Sequence, residues 1–145
     1  MAKMLDLMQR GMRGELPPPP VSQLIGMTLT AIAPGEAIVE FTAGPQHANP
    51  MGTQHGGVLC DVADAAMGMA YAAALDEGET FTSLELKINF IRPFWTGRLR
   101  ATGRVVHRGK TVGLAECDLV DDEGRLVARA SSTCLTLRGE AAAGR

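Results

Sequence analysis

The chain has no surplus of charge of either sign. Fourteen Lys and Arg stand against 16 Asp and Glu, a formal net charge of −2, and no basic tract breaks the balance. A nucleic-acid partner is therefore not expected. Cysteine is limited to Cys60, Cys117 and Cys134, an odd number with no CxxC spacing. That pattern suits reduced thiols in a cytoplasmic protein and not a disulfide framework. Met1–Leu16 alternates acids, bases and methionines, and lacks the apolar core of a secretory signal. The one run long enough to suggest a membrane span is Val58–Leu75. Two internal aspartates, its Ala and Gly content and its bare sufficiency in length argue against that. There is no internal repeat. At 145 residues the expectation is one domain with a core of its own.

The periodicities divide the chain. Met4, Leu5, Met8 and Met12 recur at helical spacing, so residues 1–16 read as a short amphipathic helix, stopped by Pro17–Pro20, a stiff extended connector. Strands are expected near Leu24–Ile32 and Ala37–Thr42, then a turn-rich loop over Gly44–Gln54. The run Val58–Leu75 is a helix apolar nearly all the way round, which belongs at the centre of a protein. After Gly78 the period becomes two, with Leu84, Leu86, Ile88 and Phe90 on one strand face. Strands near Arg98–His107, Thr111–Val120 and Leu126–Leu137 follow, with hairpin turns at 107–110 and 121–124 and a frayed tail at 139–145. Hairpin-joined strands make an antiparallel sheet, and a sheet accompanied by one apolar helix can curl around it. Ala63, Ala66, Ala70 and Ala73 form a small-residue stripe that lets the helix lie close. The fold class is α+β, and a bare sheet edge favours dimerisation.

The chemistry concentrates where the loop meets the helix. His55-Gly56-Gly57 opens the helix, and its only carboxylates before Asp76 are Asp61 and Asp64. Backbone N–H groups at a helix start are donors already aimed, and glycine lets a ligand approach them without a Cβ in the way. A carboxylate two turns further on can act as nucleophile or general base. The residues alone leave that role open between Asp61 and Asp64.

Asn49…His55-Gly56-Gly57…Asp64, followed by Ser83-Leu84-Glu85-Leu86 and Arg92-Pro93, resembles the hotdog-fold acyl-CoA thioesterases of the phenylacetate-pathway (PaaI-like) group. Asn49 lies six residues before His55 and Asp64 nine after it, as in that family. The likeness runs from about Val21 to Leu137. It implies a hotdog domain over residues 21–138, a curved antiparallel sheet wrapped around the long helix. It also implies an acyl- or aryl-CoA substrate hydrolysed to free acid and CoA, with no cofactor and no metal. Carried over residue by residue, it assigns Asp64 as the catalytic carboxylate and selects it over Asp61. Gly56 becomes the oxyanion donor, with Gly57 beside it at the helix start. His55 orders the loop, Asn49 holds the lytic water or the carbonyl, and Ser83 is a secondary polar residue. The family further implies that Asp64 works with the Asn49–Gly57 loop of another subunit, in a homodimer with shared sites that pairs into a homotetramer.

Coenzyme A carries phosphates, and Arg92, Arg108 and Lys110 are the candidates to meet them. Arg98, Arg100 and Arg104 share one strand face, which reads equally well as a solvated surface. Met67, Met69, Tyr71, Phe90, Phe94 and Trp95 suit an acyl pocket or ordinary core. His47 is expected on the surface of its loop and Cys60 in the core. His47, His55, Cys60 and Asp61 follow no standard zinc or iron spacing. The rival readings are a hydratase or dehydratase on the same fold, and a non-catalytic acyl-CoA-binding protein.

Overall fold

The computed structural model describes residues 3–145. The first helix, α1, spans Lys3–Met12, so the first two residues of the expected N-terminal helix lie outside the described part. A short helix α2 (Pro20–Ile25) precedes strands β1 (Met27–Ala33) and β2 (Glu36–Ala43). A 3-10 turn at Pro45–His47 leads to the long helix α3 (Gly56–Ala73). Strands β3 (Thr80–Phe90), β4 (Gly97–Arg108), β5 (Val112–Asp121) and β6 (Leu126–Leu137) complete the chain. The six strands form one antiparallel sheet in the order β1-β2-β4-β5-β6-β3, with α3 packed along its inner face. This is the hotdog architecture.

The small-residue stripe sets how close helix and sheet come. Ala63, Ala66, Ala70 and Ala73 are all buried, and the core closes around them with Phe41, Val62, Met67, Leu99 and Leu119. The tightest crossing is at Gly103 of β4, where a Cβ would run into the backbone carbonyl of Ala66. Further along, the fully buried Tyr71 hydroxyl pairs with Thr136 Oγ1 at 2.8 Å, so the one polar atom on the ring is satisfied. The last turn of α3 is held from outside. Arg108 donates to the Ala74 carbonyl at 2.8 Å and pairs with Glu79, which Arg138 also reaches at 2.6 Å. Burial pushes the Glu79 carboxyl up, but the Asp76 N–H and the two guanidinium groups outweigh it and hold the group below its usual range.

Several elements differ from the sequence expectation. Pro20 does not extend the connector; it opens α2, because a fixed φ and a missing N–H suit the first helical position. Leu24 and Ile25 therefore belong to that helix and not to a strand. Gly26, at φ 89°, ends it by donating to the Ser22 carbonyl at 2.9 Å. In β3 the regular alternation fails at Leu84, the extra residue of a bulge between Ser83 and Glu85, and Leu84 and Phe90 are exposed on an edge strand. The tail folds into an exposed 3-10 turn at Gly139–Ala142. His47, expected at the surface, is 6 % exposed and packs its ring 4.8 Å from that of Phe41. The outer-face arginines are committed to neighbours: Arg98 to Asp122 and Glu40, Arg100 to Glu40, and Arg104 to Glu116 and Asp118. No helix among the described residues is long and apolar enough to cross a membrane.

Candidate active site

The loop before α3 is built to hold the helix start in place. Asn49 closes a tight turn on itself. Its N–H donates to the Thr53 carbonyl, its Nδ2 to Thr53 Oγ1 (both 2.7 Å), and its Oδ1 accepts the Met51 N–H at 2.9 Å. One amide hydrogen of Asn49 is left uncommitted. Gln54, 6 % exposed, then ties the loop to the rest of the molecule. Its backbone N–H donates to Phe94, and its side-chain amide to the carbonyls of Gly44 (3.1 Å) and Trp95 (2.5 Å). His47 adds a second tie: its Nδ1 accepts from Gly44 N–H and its carbonyl accepts from His55 N–H. Gln54 and His47 are the anchors that sequence reasoning missed. Their positions inside a Gly- and Pro-rich loop gave no periodic sign of burial.

At the helix start the two glycines differ. His55 is the N-cap, and its Nδ1 accepts the Gly57 N–H at 3.0 Å. An accepting Nδ1 places the proton of the neutral ring on Nε2. The Gly57 donor is thereby used, while no acceptor lies on the Gly56 N–H among the described residues. The Phe90 ring packs over Gly56 so closely that a Cβ there would meet its tip at 2.8 Å.

Asp64 faces away from the sheet, into a cleft of about 370 Å³ that Asp61 also lines. Asp64 is exposed in the single chain, but desolvation by the cleft walls, together with the nearby negative charge of Asp61, raises its carboxyl above the ordinary carboxylate range. Ser83 sits opposite Cys134 in the β3–β6 ladder and does not line this cleft. The structure does not bring Asp64 together with Gly56. Eight residues of helix separate them by about 12 Å, too far for both to touch one carbonyl group.

The basic candidates also part company. Arg108 is consumed at the C-terminal end of α3 by Ala74, Glu79 and Asp76, and does not stand free to meet a phosphate. Lys110 is exposed in the β4–β5 turn at that same end, whereas Arg92 is exposed beyond Phe90 at the N-terminal end. The 18 residues of α3 put about 27 Å between those ends. Of the six proposed pocket residues only Met69 lines the cleft; Met67 and Tyr71 are core, and Phe90 and Trp95 are exposed. The thiols offer no nucleophile. Burial pushes Cys117 up to about 12 and raises Cys134, and burial followed by the charges of Asp61 and Asp64 raises Cys60. Among the described residues no group of three or more His, Cys, Asp or Glu could hold a metal ion.

One antiparallel sheet wrapped around a single long helix is the fold of the hotdog thioesterases. Known proteins agree. The thioesterase superfamily model matches residues 51–128. The chain is similar to human acyl-coenzyme A thioesterase 13, 30 % identical over 109 residues that cover 74 % of this chain and 77 % of the relative. It is also similar to a phenylacetic acid degradation-related protein of Ralstonia eutropha JMP134, with TM-score 0.80 and 33 % identity over 88 % of this chain and 98 % of that one. The PaaI protein of E. coli shares the fold, with TM-score 0.82 at 24 % identity over 95 % and 96 % of the two chains. The chain belongs to the thioesterase superfamily, within its PaaI-like group.

Proposed function

We propose that the protein hydrolyses acyl-coenzyme A thioesters to the free acid and CoA, with Asp64 of one subunit and the Gly56 N–H of another sharing each active site. The observation that carries this reading is the uncommitted Gly56 donor held about 12 Å along one rigid helix from a carboxylate whose pKa is raised. Within one chain those groups cannot serve the same carbonyl, and a second copy supplies the missing half. The edge strand β3 supports pairing, since one side of it carries no partner strand in the sheet. Dimers of this kind can pair again into a tetramer, and a cytoplasmic location suits the three reduced cysteines.

In the reaction, the thioester oxygen accepts from the Gly56 N–H, with the positive end of the α3 dipole behind it. Asp64 then attacks the carbonyl carbon directly or removes a proton from a water that does so. The tetrahedral intermediate collapses, the carbon–sulfur bond breaks, and the CoA thiolate leaves and takes up a proton. On the direct route a water then hydrolyses the acyl–Asp64 anhydride to the free acid and restores the carboxylate. The spare amide hydrogen of Asn49 is placed to orient water or carbonyl. Ser83 is assigned as a secondary polar residue of the site, and Arg92, at the end of the molecule where Gly56 lies, is the basic residue best situated for a CoA phosphate. His55 has its Nδ1 engaged as a cap, which favours hydrolysis over a histidine-driven hydration.

Mixing two inactive variants tests the proposal. Gly56→Pro removes the donor N–H at a helical position that takes proline once the exposed Phe90 ring turns aside for the added Cβ, and His55, at φ −64° and ψ 130°, already has the conformation that precedes proline. Asp64→Asn removes the carboxylate. Each alone should release free thiol from acyl-CoA at least about 10²-fold more slowly than wild type. Co-expressed, they should regain activity, because half of the sites in mixed dimers then contain both groups. No recovery in verified mixed dimers would place both groups in one chain and overturn the shared site.

A further inference from the structure

The N-terminal helix was expected to be a separate amphipathic segment, but it lies across α3 and β1 and roofs the cleft that holds Asp64. Leu5 is buried, which fixes α1 in place, while Met4 and Met8 turn into the cleft opposite Gly68, Met69 and Phe81. Asp64, Gly68 and Ala72 recur every four residues on one face of α3, so the floor of the cleft runs about 12 Å from the carboxylate along the helix. That floor lies low because its side chains are small. At Gly68 a Cβ would meet only the Phe81 ring, at 3.4 Å. A second cavity of about 1010 Å³ lies under α1 and the Pro17–Pro19 connector, and both cavities are lined by Met8 and Met69. Two unbranched, flexible thioethers therefore stand where a small cleft meets a larger one.

We propose that this cleft is the acyl-chain site, that it takes a straight aliphatic chain of medium length, and that Met8 sets the length at which it ends. The inference rests on the thioesterase reading above, since it places the scissile carbonyl at Asp64. An apolar slot with its carboxylates at one mouth orients a thioester in one direction only, chain inward and CoA outward. Gly68 controls the depth one turn below the carboxylate. Met8 divides this slot from the larger space under the connector.

Hydrolysis of a series from acetyl- to palmitoyl-CoA, with phenylacetyl-CoA included, tests the assignment in wild type, Gly68→Leu and Met8→Ala. Wild type should prefer octanoyl-CoA to both acetyl- and phenylacetyl-CoA. Gly68→Leu replaces a poor helix former by a good one, so its Tm should not fall, yet its octanoyl-to-acetyl ratio in kcat/KM should drop by about tenfold or more. Met8→Ala should shift the preferred length toward palmitoyl-CoA. Unchanged length profiles in both variants, or a wild-type preference for phenylacetyl-CoA, would overturn the assignment. Binding of the fluorescent fatty acid cis-parinaric acid, displaced by octanoate and weakened by Gly68→Leu, reads the pocket without turnover. Such binding in a wild type that hydrolyses no acyl-CoA would remove the thioesterase proposal and support the pocket. Absent binding in an active enzyme would do the reverse.

Discussion

His55 Nδ1 accepts the backbone N–H of Gly57 at 3.0 Å, and that contact leaves Gly56 as the one of two neighbouring glycines whose N–H is uncommitted. In the proposed mechanism that free donor receives the developing oxyanion. The histidine acts through geometry, so what it supplies should be replaceable by another capping residue. His55→Ala is expected to lower stability by about 1 kcal/mol and to slow thiol release. His55→Asn, which can cap in the same way, should recover most of both. Thermal unfolding and steady-state rates on the two variants check this. A His55→Asn protein as stable as wild type but as slow as His55→Ala would show that the imidazole has a chemical role.

If Asp64 acts as proposed, it links activity and stability in opposite directions. Its carboxyl is raised above the ordinary 3.8 in the folded chain, so the unfolded chain ionises more readily and neutral pH favours unfolding through this group. The folded state has its full advantage below the ordinary value and loses it as pH rises through the raised one. Asp64→Asn should therefore raise Tm at pH 7, and the gain should shrink toward zero as pH falls to the ordinary carboxylate range. Parallel melting curves across pH read this directly. A variant less stable than wild type at pH 7 would contradict it.

The same carboxylate should shape the pH–rate profile. In the proposed mechanism the ionised form does the work, so kcat/KM should fall on the acid side as Asp64 takes up its proton. Asp61 contributes to holding the group up. Asp61→Asn should therefore move the acid limb to lower pH while leaving turnover on the plateau. Loss of plateau turnover in Asp61→Asn would transfer the catalytic role to Asp61.

The helix–sheet crossing gives a test unrelated to catalysis. At Gly103 an added methyl would occupy the space of the Ala66 carbonyl, and only movement of α3 away from β4 could relieve the clash. Gly103→Ala should cost up to about 3 kcal/mol, at the upper end of overpacking effects. For a chain of this size that is a fall in Tm of roughly 6–12 °C. An unchanged Tm would mean that the helix is not held as closely as Ala66 indicates.

Much of the fold is legible in the sequence, and the reasons are local. The all-apolar run predicts a buried helix because no face of it suits water, and Ala63, Ala66, Ala70 and Ala73 announce a close neighbour. The strands after Gly78 show period two, and their turns contain turn residues. What stayed hidden depends on contacts distant in sequence. Burial of His47 depends on Phe41 and Gly44, and that of Gln54 on the carbonyls of Gly44 and Trp95. Arg108 looked available until Glu79 and the end of α3 were found beside it. Met4 and Met8 show helical spacing in the sequence, but nothing there says which surface their helix covers.

The spacing of Gly56 and Asp64 has one more consequence. A donor and a carboxylate fixed on the same helix cannot be drawn together by loop closure, because α3 is anchored along its whole length by the sheet. If the complementary half always arrives on another polypeptide, specific activity becomes a function of enzyme concentration. Dilution below the dissociation constant of the pair would silence both sites together, while each separated chain kept its secondary structure. An inhibitor of such an enzyme need not resemble its substrate at all; a molecule that keeps two β3 edges apart would suffice.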